Sequence, residues 1–404
     1  MDQSIDVDVC VIGAGPVGGT LACLLQAEGV RTAVVDRAAL PPMEHPDFDG
    51  RAYAIAAGPR GVLDRAGLWD RLPIAPGPIT GIRVSDGKVG RPPSPLFLHF
   101  DSAEAGAGPF GYMVEARSLR MALNRRLAEL PDVQVIAPAE ASVERSEAGA
   151  SVQIADGPQI TCRLVVAAEG RRSPLREAEG IKTTNLHYRQ HGIVCAIGHA
   201  LPHGGTALEH FLPGGPFAQL PLAAVPGAEH ASAIVWTERS ALAARLMQLD
   251  DASFLRELVR RMGDHLGEVR LLGRRWSYPL SALLVHNYTG TRLALAGDSA
   301  HGVHPIAGQG LNLGFRDIDA LARLVGTAVA AGEDPGNPGL LRAYQATRRP
   351  DNLKMLAATD TLDRLFSNDN PLIRAARDIG IAAVHRTPPL KRWFMRQAMG
   401  ALMA

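Results

Sequence analysis

The stretch VDVCVIGAGPVGGTLACLLQAEGVRTAVVD, residues 7 to 36, constrains the fold more than any other. It reads as an apolar run, a glycine-rich turn, an apolar helix pattern ending at Gly29 and a second apolar run, which is the strand–helix–strand unit of a parallel sheet. Gly13, Gly15 and Gly18 place a G-x-G-x-x-G pattern between the first strand and the helix, with Ala14, Pro16 and Val17 completing the turn. The first glycine permits the tight turn, the second lets backbone approach a pyrophosphate, and the third lets helix and strand pack closely. Phosphates would meet unpaired N–H groups at the helix N-terminus, where the dipole presents roughly +0.5 of a charge. Asp36 closes the second strand, in position to accept hydrogen bonds from a ribose diol, and Arg37 follows it. The unit implies a dinucleotide, and on these residues alone FAD and NAD are equally served.

A second stretch favours FAD. LALAGDSAHGVHPIAGQGLNLGF, residues 293 to 315, carries Asp298 at the end of an apolar run, then a loop with Gly302, Gly308 and Gly310, then a helix pattern. A carboxylate at the C-terminal end of a sheet strand faces the crevice in which such folds bind ligands. There it can accept a hydroxyl hydrogen bond from a ribityl chain, which NAD lacks. The side-chain-poor loop around Gly297, Pro305, Gly308, Gln309, Gly310, Leu311 and Asn312 would let backbone N–H groups reach the edge of a flat polar ring.

The expected fold is α/β: a Rossmann-like FAD-binding domain, an inserted β-sheet substrate domain and a C-terminal helical region. Residues 1–186 form the first part of the FAD-binding domain, with some substrate-domain strands near 75–110; 187–290 form the inserted sheet, 291–335 the second part of the FAD-binding domain, and 336–404 the helical region. Residues 41 to about 110 are rich in Pro and Gly and read as irregular apart from a helix pattern at PRGVLDRAGLWDRL. SLRMALNRRLAEL and SFLRELVRRMGDHL read as amphipathic helices, and GIVCAIGHA and HASAIVWTE as strands.

In this order, VIGAGPVGG, LVVAAEGRRSPLRE and LALAGDSAHGVHPIAGQGLNLG resemble the three signatures of FAD-dependent aromatic hydroxylases of the p-hydroxybenzoate hydroxylase type. More narrowly, RAYAIAAGPRGVLDRAGLWDRL, GYMVEARSLRMAL, FLPGGPFAQLPL and the tail from residue 363 resemble the ubiquinone-biosynthesis hydroxylases. The resemblance implies non-covalent FAD, with Gly13, Gly15 and Gly18 on the pyrophosphate and Asp36 on the adenosine ribose. It also implies Arg51 and Arg117 flanking the pyrophosphate and ribityl chain, Asp298 on the ribityl or pyrophosphate, and Gly308 to Asn312 bordering the isoalloxazine. Oxygen, a transiently bound NAD(P)H and a polyprenylated phenol or benzoquinol are the implied reactants, a C4a-hydroperoxide of the flavin being the oxygenating species. Phe211, Phe217, Leu220 and Pro221 fall where the family's substrate sheet faces the flavin, although an ordinary sheet core would explain them equally well. One departure stands out: the middle signature's usual Asp-Gly is Glu169-Gly170, so the longer side chain must remake its hydrogen bonds.

The rest of the chain narrows the reading. Lys plus Arg number 42 and Asp plus Glu 41, a balance that argues against a nucleic-acid partner. No positively charged, apolar leader and no run of eighteen uncharged apolar residues occurs, which predicts a cytoplasmic chain. Cys10, Cys23, Cys162 and Cys195 lie far apart, and Cys10 and Cys23 fall in core patterns. His301 and His304 lack further partners at ligand spacing, so no metal is expected. No catalytic triad is needed where a cofactor carries the chemistry, and no catalytic side chain is assigned. Residues 338–404 hold eleven Lys/Arg against five Asp/Glu. Within them LKRWFMRQAMGALM sets Lys391, Arg392 and Arg396 beside Trp393, Phe394, Met395, Met399 and Leu402, a pattern that suits either peripheral contact with the inner face of a membrane or packing on the body. Two alternatives stay open: hydroxylation of a small soluble phenol, and a low-turnover FAD-bound component of a ubiquinone-biosynthesis complex.

Overall fold

The computed structural model describes residues 4–40, 48–91, 97–106, 108–225 and 227–367, together with Thr387, Pro389, Lys391 and Met395. A six-stranded sheet is built on the apolar runs of the first and last signatures. Its order is Thr289–Gly290, Leu293–Leu295, Leu164–Ala167, Val9–Ile12, Thr32–Val35, Val133–Ile136, and all neighbours are parallel except the first pair. Strands that are apolar on both faces must be covered on both. The helices Pro16–Ala27, Ala116–Ala128 and Gln309–Ala330 supply the cover, and with these strands they form the largest core, in which Val9, Val11, Leu21, Leu123, Val165, Leu293 and Leu321 have no exposure. Chain order reverses between Val9–Ile12 and Leu164–Ala167, so the crevice beyond their C-terminal ends is the ligand position of an open α/β sheet.

The second layer is an eight-stranded, mostly antiparallel sheet that includes the long strands Thr183–His199 and Val269–Val285 and the strands Thr206–Leu212, Gly215–Leu222 and His230–Arg239. Gly81–Asp86 and Phe97–Asp101 complete one edge, so strands near residues 75–110 do join this sheet. The segment read as irregular is thus richer in strands than its Pro and Gly content suggests, since Ala52–Ala56 and Gly77–Ile79 also pair with Gly111–Glu115. The helices Ser240–Met247 and Asp251–Met262 cover one face of the large sheet, packing Phe217, Trp236 and Phe254 between them. Four buried, unpaired cysteines sit in these cores, and burial pushes their thiols up, which leaves them inert.

The long helix Pro338–Phe366 docks against Gln309–Ala330 through a buried polar hub. Asp317, fully buried, accepts hydrogen bonds from Arg348 Nε at 2.9 Å, Asn352 Nδ2 at 3.0 Å, the Gly297 N–H at 3.2 Å and the His301 ring at 2.6 Å. Burial opposes its charge, but His301, Arg348 and Asn352 outweigh that and hold the carboxyl below the usual aspartate value. Of the basic tail, Lys391 pairs with Glu104 at 2.7 Å and Met395 is buried in the second core, so these two residues face the body. Arg392, Trp393, Phe394, Arg396, Met399 and Leu402 lie outside the described residues. No helix among the described residues is long and apolar enough to cross a membrane.

Removing one member of such a hub strands buried charge, at a cost of about 3–5 kcal/mol. Asp317→Ala should therefore lower unfolding stability by about 3 kcal/mol or more in urea titration at pH 7. Because the folded-state carboxyl is depressed, its contribution is present above the ordinary value of 3.8 and fades as pH falls below it. The wild-type minus variant difference should shrink on acidification; a loss under about 1 kcal/mol at pH 7 would show that the hub is dispensable.

Candidate functional site

Local geometry at the reversal point follows from two glycines. Gly13 has φ +107°, and a Cβ on it would sit against the backbone of Ala168 on the neighbouring strand. A Cβ on Gly18 would strike the Gly13 carbonyl and come within 2.9 Å of Ala168 Cβ. Helix and strands meet there because side chains are missing. Asp36 fixes the loop: one carboxylate oxygen accepts the Ala14 N–H at 2.7 Å and the other the Ala38 N–H at 2.8 Å. Each oxygen keeps a lone pair that can still accept from a ligand. Arg120 adds a 2.7 Å bond to the Ala14 carbonyl, a contact with no local sequence signal.

Over this loop opens a cavity of about 1660 Å³ that runs from the ends of the parallel strands to the uncovered face of the large sheet. Gly13, Gly15, Pro16, Val17, Asp36, Arg37, Asp298, Pro305, Gly308, Gln309, Gly310, Leu311 and Asn312 all line it, so three separated segments are brought together. Ala14, Gly18 and Gly297 do not; they stand behind the lining, Gly297 at φ +60° packed on Val17. Asn312 spends its amide on backbone, accepting the Ala56 N–H at 3.0 Å and donating to the Ala54 carbonyl at 2.8 Å. That ties the loop to Ala52–Ala56, a lining strand the irregular reading of this segment overlooked.

Two expectations about arginines are corrected. Arg51 pairs with Asp49 at 2.6 Å with its guanidinium over Trp276, and Arg117 pairs with Glu115 at 2.6 Å beside Phe48; neither lines the cavity. On the strand Gly215–Leu222, Pro216, Ala218 and Leu220 face the cavity, whereas Phe217 packs under the helices with Trp236, and Pro221 is not in the lining either. Phe211 does line the cavity, stacked 3.9 Å from Phe366. Phe217 and Pro221 are thus excluded as wall residues by strand alternation.

Glu169 shows how its extra methylene is accommodated. Its carboxylate accepts the Ser173 hydroxyl at 2.5 Å and the Leu175 N–H at 3.4 Å, while Ser173 caps the short helix Pro174–Ala178. Burial raises its pKa, and Ser173 and Leu175 pull it back only in part. His301 belongs to the Asp317 hub, and His304 lies 3.7 Å from Asp363 and against Tyr188. No group of three or more metal-ligating side chains is found among the described residues.

The cavity fits FAD on its own features. The helix Pro16–Ala27 starts at Gly15 with no side-chain cap, and a Cβ on Gly15 would meet nothing within 4 Å. The helix Gln309–Ala330 starts at Gly308, also without a side-chain cap. Two helices therefore begin at one cavity without a side-chain cap, the arrangement that a pyrophosphate and the acceptor edge of a flavin ring require.

The FAD binding domain family matches residues 6–359. The chain is 50% identical to the ubiquinone hydroxylase UbiL of Rhodospirillum rubrum over 98% of its own length and 90% of that protein's. It is 30% identical to the 3-demethoxyubiquinol 3-hydroxylase of Escherichia coli over 97% and 98%. In fold it is similar to the p-nitrophenol 4-monooxygenase PnpA of Pseudomonas putida, with a TM-score of 0.74 at 20% identity over 98% and 97% of the two chains. Signatures, cavity and relatives agree: the chain belongs to the FAD-binding-domain family, in the branch of flavin-dependent aromatic hydroxylases that holds the ubiquinone hydroxylases.

Proposed function

We propose that this chain is an FAD-dependent monooxygenase that hydroxylates the aromatic ring of a polyprenylated phenol or benzoquinol in ubiquinone biosynthesis. The observation that carries the reading is the continuity of one cavity, polar and glycine-lined at the parallel strand ends and apolar against the large sheet. Gly13, Gly15 and the N-terminus of Pro16–Ala27 would hold the pyrophosphate, Asp36 the adenosine ribose, Asp298 the ribityl chain, and the Gly308–Asn312 backbone the isoalloxazine edge. Held by these residues, FAD would supply the redox chemistry, in which NAD(P)H provides two electrons, one oxygen atom of O2 enters the ring and the other leaves as water. The chain itself binds, orients and dries. Ile82, Val84, Leu98, Phe100, Phe211 and Leu220 form a wall that excludes water, which protects reactive oxygen species from unproductive decay.

A polyprenyl tail needs an apolar exit. Leu362 and Leu365 line the cavity and are each 37% exposed, so the C-terminal half of the helix Pro338–Phe366 stands at the cavity's mouth. Leu353 of the same helix is equally exposed. A mouth edged by leucines suits loading from a bilayer, and we assign peripheral membrane contact to this helix and the basic tail, and place in a ubiquinone-biosynthesis complex to the same region. The inner face of the cytoplasmic membrane is the corresponding location.

Two measurements test the reading. A Cβ at Gly15 enters the cradle with no protein atom within 4 Å, so Gly15→Val should fold with unchanged circular dichroism yet bind FAD at least about 100-fold more weakly, as a site deprived of charge-assisted bonds does; full FAD retention would place the pyrophosphate elsewhere. With a prenylated phenol and NAD(P)H, the purified holoenzyme should put one labelled oxygen from 18O2 into the ring, read by mass spectrometry. Product labelled from water, or NAD(P)H oxidation without ring product from any phenol, would remove the hydroxylase assignment.

A further inference from the structure

The apolar wall contains one ionisable side chain that the proposed chemistry has not yet used. A single cross-strand row of the large sheet runs Leu98, Val84, Glu209, Ala218, Val235, Val194, each paired with the next across six strands. All six line the cavity. Five are aliphatic, and Glu209 sits third among them. Its strand neighbours Ala207 and Phe211 share the face, whereas His210 points to the other side and bonds Ser85 at 2.8 Å. Among the described residues Glu209 has neither a hydrogen-bond nor an ion-pair partner.

A carboxylate in such surroundings is costly unless a donor arrives. Burial alone pushes the Glu209 carboxyl up to about 7, with no charged neighbour contributing. The groups around it bear this out. On the flanking strands Arg83 lies over the Phe97 ring and is paired with Leu208, one residue out of phase with the Glu209 row, and Thr237 is the other polar side chain that the sheet gives to the lining. The helix Pro338–Phe366 offers Leu362, Leu365 and Phe366, its Asp363 being engaged by Gln190, Ser367 and His304. The remaining ionisable lining groups, Asp36, Arg37, Tyr53, Glu140, Glu169, Arg171, Arg172 and Asp298, come from outside the large sheet.

We propose that Glu209 is the hydrogen-bond acceptor for the ring hydroxyl of the phenolic substrate, fixing which ring edge is presented and enriching the ring in electrons. The assignment rests on the hydroxylase reading above. A carboxylate that accepts an O–H bond shifts electron density into the ring, which favours attack on an electrophilic oxygen. Apolar neighbours strengthen that bond by excluding competing water. A site built to bond a hydroxyl also rejects analogues that lack it, because its own polar group is then left unpaired.

The test compares a prenylated phenol with its O-methyl ether, binding being followed by perturbation of the flavin absorbance of the holoenzyme between pH 6 and pH 8. Wild type should bind the phenol about tenfold or more tightly than the ether at pH 8, and that preference should fall by about tenfold at pH 6, where Glu209 is protonated. Glu209→Gln should bind the phenol with no pH dependence, and Glu209→Ala should lose the preference altogether. The wild-type comparison stands even if Glu209→Ala fails to fold. Equal affinity of wild type for phenol and ether, or an unchanged pH profile in Glu209→Gln, would overturn the assignment while leaving the hydroxylase reading intact. Failure of the hydroxylase reading looks different, since no prenylated phenol would then bind wild type at either pH.

Discussion

Everything in this molecule depends on the close approach of three strand ends around Gly13 and Gly18. With no Cβ at either position, the Gly13 loop lies on the Ala168 backbone and the helix Pro16–Ala27 starts directly beneath it. Any side chain at Gly18 would push the helix off the strand, and the uncapped N–H groups would no longer face the space beyond Ala168 and Ala296. Packing and ligand binding are thus the same constraint seen from two sides. An unsatisfied helix N-terminus is a cost in an empty fold and an anion site in a filled one.

The Asp317 hub extends that constraint to the far wall. By accepting from Gly297, His301, Arg348 and Asn352, one buried carboxylate joins the loop after Leu293–Leu295, the helix that begins at Gly308 and the helix that ends at Phe366. Asn312 makes the matching link to Ala52–Ala56. The cofactor loop and the leucine-lined mouth are therefore held by one polar network. Its four donors converge on one buried carboxylate, which favours a fixed cavity over a collapsible one.

Legibility in the sequence divided along a physical line. Gly13, Gly15, Asp36, Asp298 and the Gly308–Asn312 loop could be read because their requirement is local: a turn, a strand end, a helix start. Face assignment in the large sheet could not. Helices cover the side holding Phe217 and Trp236 while the cavity takes the other, so both faces are apolar and alternation carries no direction. The resemblance puts Phe217 where a substrate sheet faces the flavin but leaves an ordinary core position equally open, and the row that holds Glu209 exists only once six distant strands are in register. Arg51 and Arg117 were placed by resemblance alone, and their acidic neighbours Asp49 and Glu115, two residues away in each case, claim them. The strand Ala52–Ala56 is only five residues long and lies in a stretch otherwise rich in Gly and Pro, which hides it.

The central claim is that cofactor and ring share one cavity, approached from opposite walls. A crystal structure of the holoprotein with a bound phenol decides it. The account predicts pyrophosphate oxygens on backbone N–H groups at the start of the helix Pro16–Ala27, and the phenol ring between the isoalloxazine and the row from Leu98 to Val194. Flavin density away from the Gly13–Gly18 turn, or a ring bound outside the cavity with that row left against solvent, would contradict it.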